Sequence, residues 1–207
     1  MFNDKYSILD FENFIKDIDL DIIVETGTKV GESTIKFKKY CKFVHTIELI
    51  ESLSRTAQKK FNEHWSTDKD NCRFWIGDTR DKLKEILKTI TKNQNVLFFL
   101  DAHSHIWHLE GIPQGNNNPI LDELSTLVRF VNDEKIKKPY IIIDDFANPK
   151  NKNIKHNIYK DSTLNIAYVK KHLDSIYKKN GYKVYYTEKV EKSSNSGKIF
   201  IKPKEVI

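Results

Sequence analysis

Short apolar segments alternate with amphipathic segments over most of this 207-residue chain, and this alternation limits the fold more than any other feature. Apolar runs of four to six residues have the length of strands, whereas the stretches between them carry apolar residues at helical spacing. Five such units follow one another. Because a strand that returns through a helix joins its sheet in parallel, the pattern predicts an α/β fold with helices on both faces of a mainly parallel sheet.

The strands predicted for the parallel part of the sheet share an acidic residue at the carboxyl end or within two residues after it. They cover residues 21–25, 43–48, 73–76, 96–100 and 140–143. Two further segments, 182–188 and 198–202, alternate polar and apolar residues and are joined by Ser193-Ser-Asn-Ser-Gly197. This pattern predicts a C-terminal antiparallel hairpin, so that the sheet has seven strands.

Helices are predicted before the first strand and in each connection. They cover about 32–40, 52–64 and 162–180, with others around Leu83 to Ile90 and from Pro119 onward. Gly181 has the position of a left-handed residue that ends a helix. We expect a single domain over 1–207, with an N-terminal helical extension over 1–20, because 39% hydrophobic residues suffice for one core.

Composition favours a soluble, cytoplasmic protein. Cys41 and Cys72 form no Cys-x-x-Cys pair, and no apolar run approaches the ~20 residues that cross a bilayer. The segment 150–204 carries fourteen lysines against four acids. This basic segment would attract an acidic substrate or nucleic acid, but a lysine-rich solvated surface explains it more simply. Since the chain has only four arginines, nucleic acid is not the favoured partner.

Residues 23–31, Ile-Val-Glu-Thr-Gly-Thr-Lys-Val-Gly, are typical of a strand that passes into a helix around a bound nucleotide. Gly27 would permit the tight turn, Gly31 the close approach of backbone to ligand, and Glu25 would accept ligand hydrogen bonds. An ordinary strand-to-helix turn has the same pattern. A nicotinamide-binding turn is not favoured, because Lys29 stands where its second glycine is required.

Acids at the strand ends form the second candidate feature. They are Glu25, Glu48, Asp78, Asp101, Asp144 and Asp145. Each alone is explained as a helix N-cap, and this explanation is strongest for Asp78. Together they would repel one another unless ligand hydroxyls, amines or a cation compensate their charge.

The unit order and the Glu25-Thr-Gly27-Thr-Lys-Val-Gly31 turn resemble the class I S-adenosylmethionine-dependent methyltransferases over nearly the whole chain. The resemblance implies that the glycine turn passes under the methionine portion of the cofactor. It also implies that Glu48, 23 residues after Glu25, holds the ribose hydroxyls. Asp78 would lie by the adenine, with Ile76 and Thr79 near the base. Asp101 is a further candidate for cofactor binding.

Asp101, with the adjacent pair Asp144-Asp145, looks like the magnesium site of cation-dependent O-methyltransferases, and the Asp-Asp pair points to the sugar and macrolide enzymes. A Mg²⁺ ion there would bind substrate oxygens and lower the pKa of the hydroxyl to be methylated. Alternatively, Asp101 contacts the cofactor amine or the substrate without metal, and Asp144-Asp145 caps the following loop.

The loop 103–118 is predicted to be a substrate lid and contains His103, His105 and His108. Because histidine titrates near neutral pH, His103, two residues after Asp101, is the first candidate for the general base. All three are otherwise exposed loop histidines. A three-histidine zinc site is not favoured, because the loop is rich in Gly and Asn.

The chain lacks the Asp-Pro-Pro-Tyr and Asn-Pro-Pro-Tyr strings of adenine amino-methylation. It also lacks a cysteine after the fourth strand, which cytosine C5 methylation requires. The favoured acceptor is therefore a hydroxyl of a small molecule or sugar, and an acidic acceptor is compatible with the basic segment. Two alternatives stay open: a non-catalytic nucleotide- or nucleic-acid-binding module on the same fold, and a nucleic-acid methyltransferase that uses the basic segment.

Overall fold

The computed structural model of the chain describes residues 5–102, 119–146, 148, 166–178, 181–189 and 197–204. Its strands are β1 Leu20–Thr26, β2 Cys41–Glu48, β3 Cys72–Ile76, β4 Val96–Leu100, β5 Tyr140–Ile143, β6 Tyr182–Tyr186 and β7 Ile199–Pro203. They form one sheet in the order β3-β2-β1-β4-β5-β7-β6. Strands β1 to β5 are parallel, and β7 lies antiparallel between β5 and β6. The predicted seven-stranded sheet with a C-terminal antiparallel pair is confirmed.

The helices are α1 Lys5–Ile15, α2 Glu32–Phe37, α3 Glu51–His64, α4 Thr79–Leu87, α5 Ile120–Asn132 and α6 Ile166–Tyr177, with a 3-10 turn at Lys69–Asn71. Helix α2 is shorter than predicted, since the N–H of Tyr40 already turns back to the carbonyl of Phe37. The prediction that Gly181 is the left-handed residue that ends α6 is wrong. Lys178, directly after the helix, has the positive φ of 62° instead.

Apolar side chains cover both faces of the sheet. On one face, Leu83, Leu124 and Leu173 from α4, α5 and α6 belong to the larger core cluster. On the other, Phe11 and Phe14 of α1 belong to a smaller cluster, whose central members are Ile23, Phe37, Leu97 and Phe99. All five residues of β4 are buried, as predicted for a strand covered on both faces. No helix within the described part of the chain is long and apolar enough to cross a membrane.

Candidate active site at the carboxyl edge of the sheet

The carboxyl ends of the parallel strands are joined to one another by main-chain hydrogen bonds. The N–H of Gly27 donates to the carbonyl of Ile47 at 2.9 Å, and the N–H of Asp101 donates to that of Thr26 at 3.0 Å. The N–H of Asp144 donates in turn to the carbonyl of Leu100 at 3.0 Å. The loops after β1, β2, β4 and β5 are therefore neighbours. The acids predicted at the strand ends consequently follow one another along one edge of the sheet.

The glycine turn after β1 is left-handed at both glycines, with φ of 86° at Gly27 and 81° at Gly31. A Cβ on Gly27 would lie 2.4 Å from the carbonyl oxygen of Asp101, and one on Gly31 would lie 3.0 Å from Cβ of Ala57. The two glycines therefore let the turn pass close to the end of β4 and let α2 approach α3. Gly31 was predicted to let the backbone approach a ligand. In the structure, the backbone at Gly31 approaches Ala57 of α3 instead.

Glu48 ends β2 as a buried carboxylate that the main chain holds on both sides. Its Oε2 accepts a hydrogen bond from the N–H of Lys29 at 2.7 Å, and its Oε1 accepts one from the N–H of Ile50 at 3.0 Å. Since a carboxylate oxygen can accept two hydrogen bonds, each keeps a free acceptor direction. The carboxylate is thus fixed in orientation and retains capacity for two vicinal hydroxyls.

Glu25 is fully buried, and the hydroxyls of Thr34 and Thr46 donate to its Oε2. The hydroxyl of Thr46 also hydrogen-bonds that of Thr28. Burial raises the pKa of Glu25 to about 8, although the two threonine hydroxyls act in the opposite direction. The sequence pattern predicts that Glu25 accepts ligand hydrogen bonds. The contacts show a different use of Oε2, which joins β1 to β2 and to α2.

Asp78 caps α4, since its side chain accepts the N–H of Arg80 at 2.8 Å and pairs with the Arg80 guanidinium. These bonds to Arg80 hold the pKa of Asp78 below its ordinary value against the opposing effect of burial. Next to it, the buried Oγ of Thr79 has no hydrogen-bond partner in the part of the chain that the structure describes. An unpaired buried hydroxyl costs free energy, so this atom is suited to a ligand contact.

Two large apolar side chains are exposed beside Glu48: Leu49 is 48% exposed, and Ile76, the register partner of Glu48, is 42% exposed. Leu49 adjoins Glu48 along the chain and Ile76 adjoins it across the sheet, so apolar side chains are exposed on two sides of a fixed carboxylate. Ile76 was predicted to lie near a base, whereas Leu49 was missed. The sequence feature that could have identified Leu49 is its position directly after Glu48, the acid that ends β2.

Asp144 forms a buried ion pair that the sequence analysis did not foresee. Lys198 Nζ lies 2.7 Å from Asp144 Oδ1, and the two side chains are 2% and 1% exposed. The same oxygen accepts the N–H of Asp145 at 2.8 Å, and Asp145 adopts a left-handed φ of 55°. Burial alone would raise the pKa of Asp144, but neighbouring positive charges, of which Lys198 has the largest effect, hold it well below the ordinary value.

The predicted magnesium ligands do not fit Mg²⁺ in this arrangement. Mg²⁺ needs oxygen ligands at ~2.1 Å and several waters, whereas an ammonium group already occupies the inner oxygen of Asp144. Among the described residues, no group of three or more His, Cys, Asp or Glu side chains is placed to hold a metal ion. His103, His105, His108 and the predicted lid 103–118 lie outside the described residues.

Comparison with known proteins supports the fold assignment. No protein-family model matches the chain, and neither does any curated protein sequence. Among solved structures, an O-methyltransferase from Bacillus cereus in complex with SAH aligns over 99% of this chain and 82% of its own, with a TM-score of 0.63 and 14% identity. The O-methyltransferase TomG from Streptomyces achromogenes, in complex with SAM, aligns over 97% and 80%, with a TM-score of 0.61 and 12% identity.

A third structure shows how far this likeness extends. The precorrin 8W decarboxylase from Methanobacterium thermoautotrophicum aligns over 93% of this chain and 87% of its own, with a TM-score of 0.51 and 13% identity. The chain thus has the class I methyltransferase fold. Because that fold also carries proteins named for another reaction, the activity must be argued from the site.

Proposed function

We propose that this protein is an S-adenosylmethionine-dependent methyltransferase that methylates a hydroxyl group of a small molecule or sugar. The observation that carries the proposal is the Glu48 carboxylate, which two main-chain N–H groups fix beside the exposed side chains of Leu49 and Ile76. A carboxylate with free acceptor directions next to an apolar surface suits a nucleoside, since it offers acceptors to the ribose and a wall to the base.

The residues present fit the cofactor. Glu48 would hold the ribose hydroxyls, and Leu49 and Ile76 would pack against the adenine. The unpartnered hydroxyl of Thr79 would find a hydrogen-bond partner in the base. Asp101 is the candidate for binding the cofactor amine. Its main-chain N–H donates to the carbonyl of Thr26, which places Asp101 beside the end of β1. These assignments agree with the fold's use by SAM- and SAH-bound proteins.

When bound, S-adenosylmethionine supplies an electrophilic methyl group on a sulfonium. The chain then has to place an acceptor oxygen in line with that methyl group, exclude water and take up the hydroxyl proton. His103 stays the predicted base, and Asp101 stays a candidate for the catalytic site. Assistance by Mg²⁺ stays a hypothesis of the sequence analysis that the ion pair of Asp144 with Lys198 does not favour. A cytoplasmic location also stays a prediction.

Calorimetric titration with S-adenosylhomocysteine tests the cofactor assignment. Binding by the wild type, lost or weakened strongly in Glu48→Ala but kept in Glu51→Ala, would support it. Glu51 is a matched control, because it is an exposed acid of α3 whose partner is Arg55. Absence of binding by the wild type would refute the methyltransferase proposal. Strong, salt-dependent oligonucleotide binding in its place would favour the nucleic-acid-binding alternative.

The acceptor class needs a separate screen. Hydroxylated sugars, nucleotide sugars and small phenols are incubated with S-adenosylmethionine, and the release of S-adenosylhomocysteine is followed. Turnover of a hydroxylated compound would support O-methylation. Turnover confined to amines, thiols or RNA would replace that part of the proposal and leave the cofactor assignment in place.

A further inference from the structure

Lys198 is a buried cation at the edge of the sheet where the acids collect. Its side chain is 2% exposed and lies 2.7 Å from Asp144, which is 1% exposed. Taking an ammonium and a carboxylate out of water costs several kcal/mol for each, so such a pair persists only where geometry and further hydrogen bonds compensate. Main-chain bonds around Lys198 fix the geometry of the pair, and the N–H of Asp145 gives Asp144 a further hydrogen bond.

The backbone of Lys198 is held from two sides. Its N–H donates to Oγ1 of Thr187 at 3.0 Å, and its carbonyl accepts the N–H of Thr187 at 3.0 Å. The carbonyl of Gly197 accepts the N–H of Phe146 at 2.8 Å, which ties the start of β7 to the loop after β5. Because β7 pairs with β5, with Ile199 opposite Ile143, residue 198 is placed beside Asp144.

More than one acid contributes to the charge balance. Burial by itself would lower the pKa of Lys198, but Asp144 raises it by charge and hydrogen bond, and Asp101 and Asp145 add to the effect. The net result is a pKa above the ordinary value. The buried 2.7 Å contact with Asp144 makes Lys198 the charge partner of one of the three carboxylates that were predicted to bind a metal.

We propose that Lys198 is the built-in cation of this site and takes the place that a divalent metal would need. It compensates the acids of the edge and, through Asp144, positions the loop of Asp145. Lys198 is thus a positioning residue. The consequence for the reaction, methyl transfer without added metal, rests on the proposed function, whereas the metal-binding properties of the chain do not.

Manganese titration followed by electron paramagnetic resonance tests the proposal without an acceptor, with thermal unfolding as a second readout. The wild type should not bind Mn²⁺ stoichiometrically, and Mg²⁺ should not raise its melting temperature. Lys198→Met should unfold at a clearly lower temperature, because it leaves the buried Asp144 carboxylate without the ammonium group that pairs with it. The double variant D144N/K198M, which removes both charges of the pair, should regain part of that loss.

The outcomes separate the two proposals. Stoichiometric Mn²⁺ binding by the wild type that Asp144→Asn abolishes would overturn the inference, even if K198M fails to fold. A K198M variant as stable as the wild type would overturn it as well. Neither result depends on S-adenosylhomocysteine binding, so failure of the proposed function is recognised independently by calorimetry.

Once an acceptor is known, turnover gives a further readout. Wild-type activity should be unchanged in chelator. Lys198→Arg should keep most of the kcat because it keeps the cation, whereas Lys198→Met should lose at least tenfold in kcat at nearly unchanged affinity for S-adenosylhomocysteine. Abolition of wild-type turnover by chelator, restored by Mg²⁺, would contradict the proposal.

Discussion

The main-chain N–H of Lys29 donates to Oε2 of Glu48 at 2.7 Å, and this bond joins the glycine turn after β1 to the end of β2. Lys29 adopts a left-handed φ of 52° to make it, which is uncommon for a residue with a side chain. The turn and the carboxylate are thus built as one unit. Any ligand that uses Glu48 also meets the turn, as the cofactor of the proposed function would.

Replacement of Glu48 by Gln should lower the affinity for S-adenosylhomocysteine about 10- to 100-fold. The reason is that the amide turns an N–H₂ group toward one of the two main-chain donors and loses a charged acceptor for the ribose, which together cost about 1.5–3 kcal/mol. Calorimetry measures the loss, with Glu51→Gln as the control. An unchanged dissociation constant would show that Glu48 does not contact the cofactor.

Replacement of Glu25 by Gln should stabilise the protein at pH 8. A carboxyl with a pKa of about 8 when folded keeps a proton that the unfolded chain, with an ordinary pKa of 4.5, releases. Stability from this group is therefore present below pH 4.5 and falls as pH rises toward 8, by a few kcal/mol in order of magnitude. Urea unfolding from pH 5 to 8 should show a difference between variant and wild type that grows with pH. A constant difference would contradict a raised pKa.

His45 should make the folded protein less stable as pH falls, whereas Glu25 makes it less stable as pH rises. Its Nδ1 accepts the indole N–H of Trp75 at 3.1 Å. Burial, with a smaller effect of Arg73, lowers the pKa of His45 to about 4 from 6.5. Because the unfolded chain takes up a proton first, stability is lost as pH falls from 6.5 to 4, by at most about 3 kcal/mol. His45→Gln keeps an acceptor that does not titrate. It should therefore lose less stability than the wild type when unfolding is followed by tryptophan fluorescence at pH 7 and pH 4.5.

Gly31→Ala should destabilise the protein by about 1–3 kcal/mol, since a Cβ at φ 81° is strained and meets Ala57 at 3.0 Å. The double variant G31A/A57G removes the contact with Cβ of Ala57 but leaves the 3.2 Å approach to the Cα of residue 57 and the backbone strain. It should therefore regain part of the melting temperature, after correction for Ala57→Gly alone. Simple additivity of the two single changes would show that the contact with α3 is not responsible.

Asp78→Asn distinguishes a cap from an adenine contact. Asparagine caps helices nearly as well as aspartate, and the partly exposed ion pair with Arg80 contributes at most about 1 kcal/mol, so the melting temperature should change little. If the carboxylate accepts the adenine amino group, the wild type should bind S-adenosylhomocysteine more tightly than its inosine analogue. The variant should lose this preference. If both proteins prefer S-adenosylhomocysteine over the inosine analogue equally, Asp78 caps α4 and does not contact the adenine.

The sequence was sufficient to predict the sheet and the edge that carries the site. The spacing of apolar residues and the positions of the acids can be read from short stretches of sequence. Parallel strands then necessarily bring their carboxyl ends to one edge of the sheet. Local pattern alone therefore places Glu48 and Asp144 on the same edge as Asp101. The hairpin of β6 and β7 was predictable for the same reason, because alternation and a turn-rich connection are both local.

Contacts between distant segments depended on the tertiary structure. Lys198 follows Asp144 by 54 positions and lies beside it only because β7 enters the sheet between β5 and β6. Likewise, the need for glycine at Gly31 comes from Ala57 on another helix, and the raised pKa of Glu25 comes from complete burial. Local pattern determined which residues reach the edge. Only the packing of all the elements decided which of them meet, since burial and pairing energies arise from the whole chain at once.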